Sequence, residues 1–291
     1  MIITIAEMLI NSKILFQELL SELNVDANQA EKEAMIFWVL ENQLKLRPIH
    51  VMSGKEVEFD RSNFNSIIRR LNKNEPLQYV LGESEFYGRR FIVNPAVLIP
   101  RPETEIMIDS VLSFMKDRAD EISILDIGTG SGCIGITLSL EVKSSHVSAT
   151  DISEQALIIA KKNAKQLNAS IEFYKRDVLS EFLPKDSLDV IVSNPPYILE
   201  NEKNTLHENV VNYEPSLALF VPNDDALIFH RALTEHSKRS LKSGGMLMTE
   251  INERFGKETL ELFQSAGFEA EIVKDLDGKD RFISGIKRTD R

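Results

Sequence analysis

The tetrapeptide Asn194-Pro195-Pro196-Tyr197 follows directly on the apolar run Leu188-Asp189-Val190-Ile191-Val192-Ser193, and its residue types suit a planar amide or amidine nitrogen. The Asn194 side-chain oxygen can accept one N–H of such a group. Pro195 has no N–H, so the turn presents carbonyl oxygens in place of donors. Two successive prolines fix φ and hold those acceptors ready. The Tyr197 ring adds a flat apolar face for stacking. This is chemistry for a weak nitrogen nucleophile that must be oriented and made more electron-rich. A rigid turn closing a buried strand would use the same prolines, but the exposed strand-end position favours the chemical reading.

A second constellation begins at Ile124-Leu125-Asp126-Ile127, which runs into Gly128-Thr129-Gly130-Ser131-Gly132-Cys133-Ile134-Gly135. A strand, a glycine-rich turn and a helix let backbone N–H groups approach a ligand closely. Two cofactors compete. Gly130, Gly132 and Gly135 satisfy the dinucleotide pattern, with a pyrophosphate at the helix N-terminus. Gly128, Gly130 and Gly132 after Asp126 match instead the acidic-x-Gly-x-Gly-x-Gly loop of S-adenosylmethionine (SAM) enzymes, where the acidic residue faces the ammonium of the methionine part. Asp151, closing the next strand, can accept both ribose hydroxyls of either cofactor, and it can equally cap the helix that follows. Asp177, ending the third strand, can meet an adenine amino group or stay in solvent. The tetrapeptide decides for SAM: it lies on the same carboxyl edge as the glycine loop, and an amide-orienting site has no evident role beside a nicotinamide.

These residues need a parallel α/β sheet to hold them. From Ile122 onward, strands expected at 122–127, 146–150, 171–174, 188–193 and 245–251 alternate with helices. Two antiparallel strands, Phe268 to Val273 and Arg281 to Ile286, close the chain. Before them, residues 1–75 read as a helical bundle. Ile5, Met8, Leu9, Leu15 and Leu19 supply one helical face, and a second helix opens at Asp26 and carries Phe37 and Trp38 as core residues. A third helix starts near Asp60. Residues 76–100, including Tyr79–Gly82 and Phe86–Val93, read as a β-hairpin linker, and residues 101–291 as the catalytic domain.

Composition removes other classes. The chain has 291 residues and a net charge of −11, which argues against non-specific binding to duplex DNA. Cys133 is its single cysteine, which fits a reducing compartment. The five histidines are scattered, so no metal site is expected. No apolar run approaches membrane-spanning length and the N-terminus lacks a signal-peptide pattern, so the expectation is cytoplasmic.

Four further segments carry a resemblance: Leu98-Ile-Pro-Arg-Pro-Glu-Thr-Glu105, Gly82-Glu-x-x-Phe86-Tyr-Gly88, Tyr213-Glu-Pro-Ser-Leu-Ala-Leu219 and Asp280-Arg-Phe-Ile283. With the glycine loop and the tetrapeptide, they make the chain resemble the PrmC/HemK family over nearly its whole length. That family methylates the glutamine of the Gly-Gly-Gln motif in class 1 peptide chain release factors. The resemblance implies a class I SAM-dependent methyltransferase fold, Rossmann-like and mostly parallel with an antiparallel C-terminal strand, preceded by a small helical domain that recognises substrate. It implies SAM as cofactor, bound by Asp126, Gly128, Thr129, Gly130, Gly132, Asp151, Asp177 and Asn194. It implies catalysis by Asn194, Pro195 and Tyr197, with Pro196 also holding the amide. The expected partner is a release factor, met by a monomer. An adenine-N6 methyltransferase is the alternative, since the tetrapeptide can also hold a flipped base. That reading calls for a basic groove, for which Lys161, Lys162 and Lys165 are weak candidates. Two departures stand out. The family usually has Glu-Ile-Gly-x-x-Gln where this chain reads Glu250-Ile251-Asn252-Glu253-Arg254-Phe255, and Asn223–Leu227 lacks a glycine often found there.

Overall fold

The runs Ile122–Ile127 and Leu188–Ser193 have no exposed position, as expected of strands covered on both faces. The computed structural model describes residues 8–116, 118, 121–181 and 187–289. They divide into two units, one running through Gly82 with His207–Tyr213 added, the other formed by Glu83–Leu206 and the chain from Glu214 onward.

In the first unit, β1 (Met8–Asn11) pairs antiparallel with β2 (Glu56–Phe59). The helices are α1 (Ser12–Glu22), α2 (Gln29–Leu44), α3 (Pro48–Met52), α4 (Arg61–Leu71), α5 (Leu77–Leu81) and α9 (Glu208–Tyr213). Leu15, Leu19, Ile36, Leu40, Phe64 and Leu71 form its core. Three details differ from the sequence reading. Residues 8–11 are strand, because Asn11 caps α1 by accepting the Lys13 N–H at 3.0 Å; Ile5 lies outside the described residues. The second helix opens at Asn28 rather than Asp26, since Asn28 and Glu31 form a reciprocal capping box. Tyr79–Leu81 is helical and ends at Gly82 with φ 76°, so the hairpin starts only at Glu83. Phe37 stacks on Phe16 with ring centroids 4.5 Å apart, while Trp38 is half-buried.

The second unit opens with the hairpin β3 (Glu83–Phe86) and β4 (Arg89–Ile92), followed by α6 (Glu105–Met115). The alternating part comprises β5 (Ile122–Ile127), α7 (Cys133–Glu141), β6 (Ser145–Asp151), α8 (Glu154–Leu167), β7 (Glu172–Lys175) and β8 (Leu188–Ser193). It continues through the short parallel pair β9 (Ile198–Leu199) and β10 (Phe220–Val221) to α10 (Ile228–Ser240), β11 (Leu241–Glu250) and α11 (Gly256–Ser265). The last strands, β12 (Phe268–Lys274) and β13 (Asp280–Lys287), are antiparallel to each other, and β13 is antiparallel to β11.

The sheet has the order β12-β13-β11-β8-β5-β6-β7. Its apolar residues alternate between two cores. Ile124, Val190, Val192 and Met248 face one cluster with residues of α6 and α7, while Leu125, Ile191, Leu247 and Ile283 face another that includes Leu233 of α10 and Phe263 of α11. Strand order reverses beside β5, which pairs with β6 on one side and β8 on the other. The crevice at the carboxyl ends of those strands is where such sheets bind ligands. No helix among the described residues is long and apolar enough to cross a membrane.

Candidate active site

A cavity of about 260 Å³ occupies that crevice. Gly128, Thr129, Gly130, Asp151, Asp177, Asn194, Pro195 and Pro196 line it, joined by Val97, Leu98, Arg101, Thr104, Pro215, Leu217 and Ala218. Asp126, Gly132 and Tyr197 are not on its wall.

The glycines of the loop have separate physical tasks. Gly128 and Gly130 adopt φ of 71° and 56°, and a Cβ added to either would meet nothing within 4 Å. Their open sides leave a cradle for a ligand against bare backbone. At Gly132 an added Cβ would come within 2.7 Å of Ile136 Cδ1 and 3.2 Å of the Ala160 Cβ, so that residue lets α7 and α8 approach. Gly135 does the same toward Ile171 and the Asp126 carboxylate, at 2.9 and 3.0 Å. The cradle thus lies at the first two glycines, not along the Gly130-Gly132-Gly135 pattern of a dinucleotide loop.

Asp126 sits beneath this loop. It is fully buried, and its Oδ2 accepts the Thr129 hydroxyl at 2.6 Å and the Gly135 N–H at 3.0 Å, while Oδ1 has no partner. Burial pushes its carboxyl up to about 6, against the lowering effect of those two donors. Through these two contacts it braces the turn, and it does not line the cavity. Asp151 reaches the cavity. Its Oδ2 accepts the Gly130 N–H at 2.9 Å and its Oδ1 the Ser153 N–H at 2.8 Å. The cap of α8 is instead the Ser153 hydroxyl, which accepts the Ala156 N–H at 3.2 Å. Each Asp151 oxygen keeps acceptor capacity for a diol. Asp177 accepts from the Leu179 N–H and the Ser180 hydroxyl, both at 2.9 Å, which fixes its loop at the cavity wall. Open glycine backbone, a diol acceptor and a further acid around an apolar cavity fit the adenosyl and methionyl parts of SAM.

At the other end, Asn194 directs its Nδ2 toward the Thr104 hydroxyl oxygen at 3.5 Å. Thr104 donates to Glu250 Oε2 at 2.9 Å, and the Tyr197 hydroxyl donates to Glu250 Oε1 at 2.9 Å. Glu250 closes β11 and is 2% exposed; burial raises its carboxyl above the ordinary range, opposed by these two donors and by Arg281. Burial and the Glu250 charge raise the Tyr197 phenol. The Tyr197 hydroxyl is therefore anchored on Glu250, and the residue does not line the cavity. Its carbonyl accepts the Asn252 Nδ2–H at 3.1 Å. Glu202 accepts the Leu199 N–H at 3.0 Å and the Asn252 amide at 3.3 Å, and pairs with Arg254. The asparagine that replaces the usual glycine at 252 thus clamps the segment following the tetrapeptide.

Glu214 lies in the Tyr213–Leu219 segment, whose pattern alone assigns it no role. It is 5% exposed, pairs with Arg101 at 2.5 Å and accepts the Ile99 N–H at 3.2 Å, so it holds the 98–101 wall of the cavity. A signal for Glu250 was present: a carboxylate at the end of an apolar strand, as Asp126 is one residue from the end of β5. Lys161, Lys162 and Lys165 are exposed on α8 and absent from the cavity wall.

Comparison with known proteins agrees with this geometry. Residues 106–215 match the methyltransferase small domain family model. A solved methyltransferase from Pyrococcus furiosus superposes with a TM-score of 0.50 at 18% identity, over 70% of this chain and 91% of that one, a likeness of fold. The release factor glutamine methyltransferase of Bacteroides thetaiotaomicron is 40% identical over 87% of this chain and 92% of its own length. That of Lactococcus lactis is 35% identical over 93% of this chain and 99% of its own. At such identity over nearly full length, the chain belongs to the release factor glutamine methyltransferase family.

Proposed function

We propose that this protein transfers a methyl group from SAM to the side-chain amide nitrogen (N5) of the glutamine in the Gly-Gly-Gln motif of class 1 peptide chain release factors. The observation that carries the reading at residue level is the Asn194 side chain, whose nitrogen is engaged by Thr104 on the wall of the same cavity as the glycine cradle. Gly128, Thr129, Gly130, Asp151 and Asp177 hold the cofactor. SAM supplies an electrophilic methyl group when bound.

The glutamine nitrogen is a poor nucleophile because its lone pair is delocalised into the carbonyl. Asn194 Oδ1 accepts one N–H and the Pro195 carbonyl the other, raising electron density on nitrogen and favouring its rehybridisation. Both contacts strengthen as positive charge develops there, so they lower the barrier rather than merely bind. Pro196 keeps the amide plane, and Tyr197 braces the turn through Glu250. The amide proton leaves to water after transfer. The helical unit recognises the release factor, and the enzyme acts as a cytoplasmic monomer without binding duplex DNA.

The test is transfer of labelled methyl from SAM to a purified class 1 release factor, beside a version with the Gly-Gly-Gln glutamine changed to alanine and a duplex DNA control. Label on the unmodified factor alone is expected. Label on DNA would instead make the enzyme an adenine methyltransferase.

A further inference from the structure

Asn194 can serve as an acceptor only if the correct end of its amide faces the cavity, and the side chain itself has no preference: oxygen and nitrogen ends are nearly the same shape. Something must choose. Thr104 precedes α6 and Glu250 closes β11; both are 2% exposed, and neither belongs to the tetrapeptide. Glu250 as a carboxylate has only acceptors. Its two oxygens take the protons of Thr104 and Tyr197, each at 2.9 Å. The Thr104 hydroxyl has one proton, and it is committed to Glu250. Toward Asn194 it can then show only lone pairs, so the amide nitrogen is drawn to it and Oδ1 is turned the other way.

We infer that Thr104 and Glu250 are positioning residues that set the polarity of the Asn194 amide, making its oxygen the end presented to substrate. This rests on the acceptor role given to Asn194 above. At Glu250 burial and Glu103 disfavour the charge, while the Thr104 and Tyr197 hydroxyls and Arg281 favour it; His230 Nε2 lies 3.0 Å from the Glu250 backbone carbonyl, leaving both carboxylate oxygens to the hydroxyls.

The decisive variants are Thr104→Val, which keeps shape but removes the relay, and Thr104→Ser, which keeps the hydroxyl. With the wild-type enzyme methylating its release factor, Thr104→Val should lower kcat about tenfold or more while SAM affinity stays within about twofold, and Thr104→Ser should recover most of the loss. A second readout needs no turnover. In protein labelled with nitrogen-15 on asparagine, the Asn194 side-chain protons should exchange about tenfold faster in Thr104→Val than in wild type or Thr104→Ser. Wild-type kinetics in Thr104→Val, or equal losses in Val and Ser variants, would overturn the inference. Unchanged exchange in Thr104→Val would overturn it as well. If wild-type enzyme fails to label the glutamine while exchange follows this pattern, the functional reading fails and the relay stands.

Discussion

The two ends of the cavity are built differently. The glycine-loop end is secured by contacts close along the chain: Asp126 holds Thr129 and Gly135, Asp151 holds Gly130 and Ser153, and Asp177 holds Leu179 and Ser180. Each is a carboxylate taking backbone or hydroxyl donors no more than 21 residues away along the chain. The Asn-Pro-Pro-Tyr end is secured from afar, by Thr104 before α6 and by Glu250, Asn252 and Arg254 at the end of β11. A nucleotide-like ligand asks for open backbone, which a local turn can supply. Orienting an amide asks for a chosen hydrogen-bond polarity, which needs partners whose own protons are fixed by others.

The comparison breaks most visibly at Asn194. Asn194→Ala should cut methyl transfer about 10²–10³-fold with SAM affinity nearly unchanged, checked by turnover and calorimetry together. A parallel collapse of SAM binding would mean the two ends are not separable. At the other end, Gly132→Ala should cost about 2–4 kcal/mol of stability, from the φ of 84° and the Cβ pressed toward Ile136 and Ala160, read by denaturant unfolding. Asp151→Ala should weaken SAM about 10–100-fold, seen as a higher Kd, while kcat at saturating cofactor changes little.

The smallest effect concerns the brace. Asp126 is pushed up to about 6 from 3.8, so the native state binds its proton more tightly than the unfolded chain. The stability this group contributes is full below about pH 4 and is lost as pH rises through about 6. The stability difference between wild type and Asp126→Asn should therefore shift by about 1–3 kcal/mol between pH 4 and 7.5. Parallel pH curves for the two proteins would show that the carboxyl does not titrate in this window.

Much of this was legible in the sequence, and the pattern of what was not follows the same division. Strands 122–127 and 188–193 appear with the bounds their apolar runs suggest, because a strand buried on both faces has an abrupt edge in composition. The cavity gathers the expected Gly128, Gly130, Asp151, Asp177 and Asn194, all at strand ends that alternating elements place on one edge. The sequence could not give the direction of a side chain. Asp126 turns under its loop because Gly135 leaves room for it there, a contact set by helix packing. Tyr197 turns to Glu250 across 53 residues of chain, beyond any spacing rule. The strand at 8–11 was missed because its partner lies at 56–59 and its apolar residues also fit a helical spacing.

The path of the backbone has a consequence for how this protein can be altered. After the first unit the chain enters the second, returns to the first for His207–Tyr213, where the Tyr213 hydroxyl bonds the Lys73 carbonyl at 2.8 Å, and then leaves again. Three covalent crossings therefore join the units, at 82–83, 206–207 and 213–214. The helical unit is not a cassette: deleting residues up to Gly82 would strand α9 without its packing partner, directly before the Glu214 that holds the cavity wall. Exchange of the helical unit between relatives would have to transplant an internal segment together with the N-terminal one, so the two must change in step.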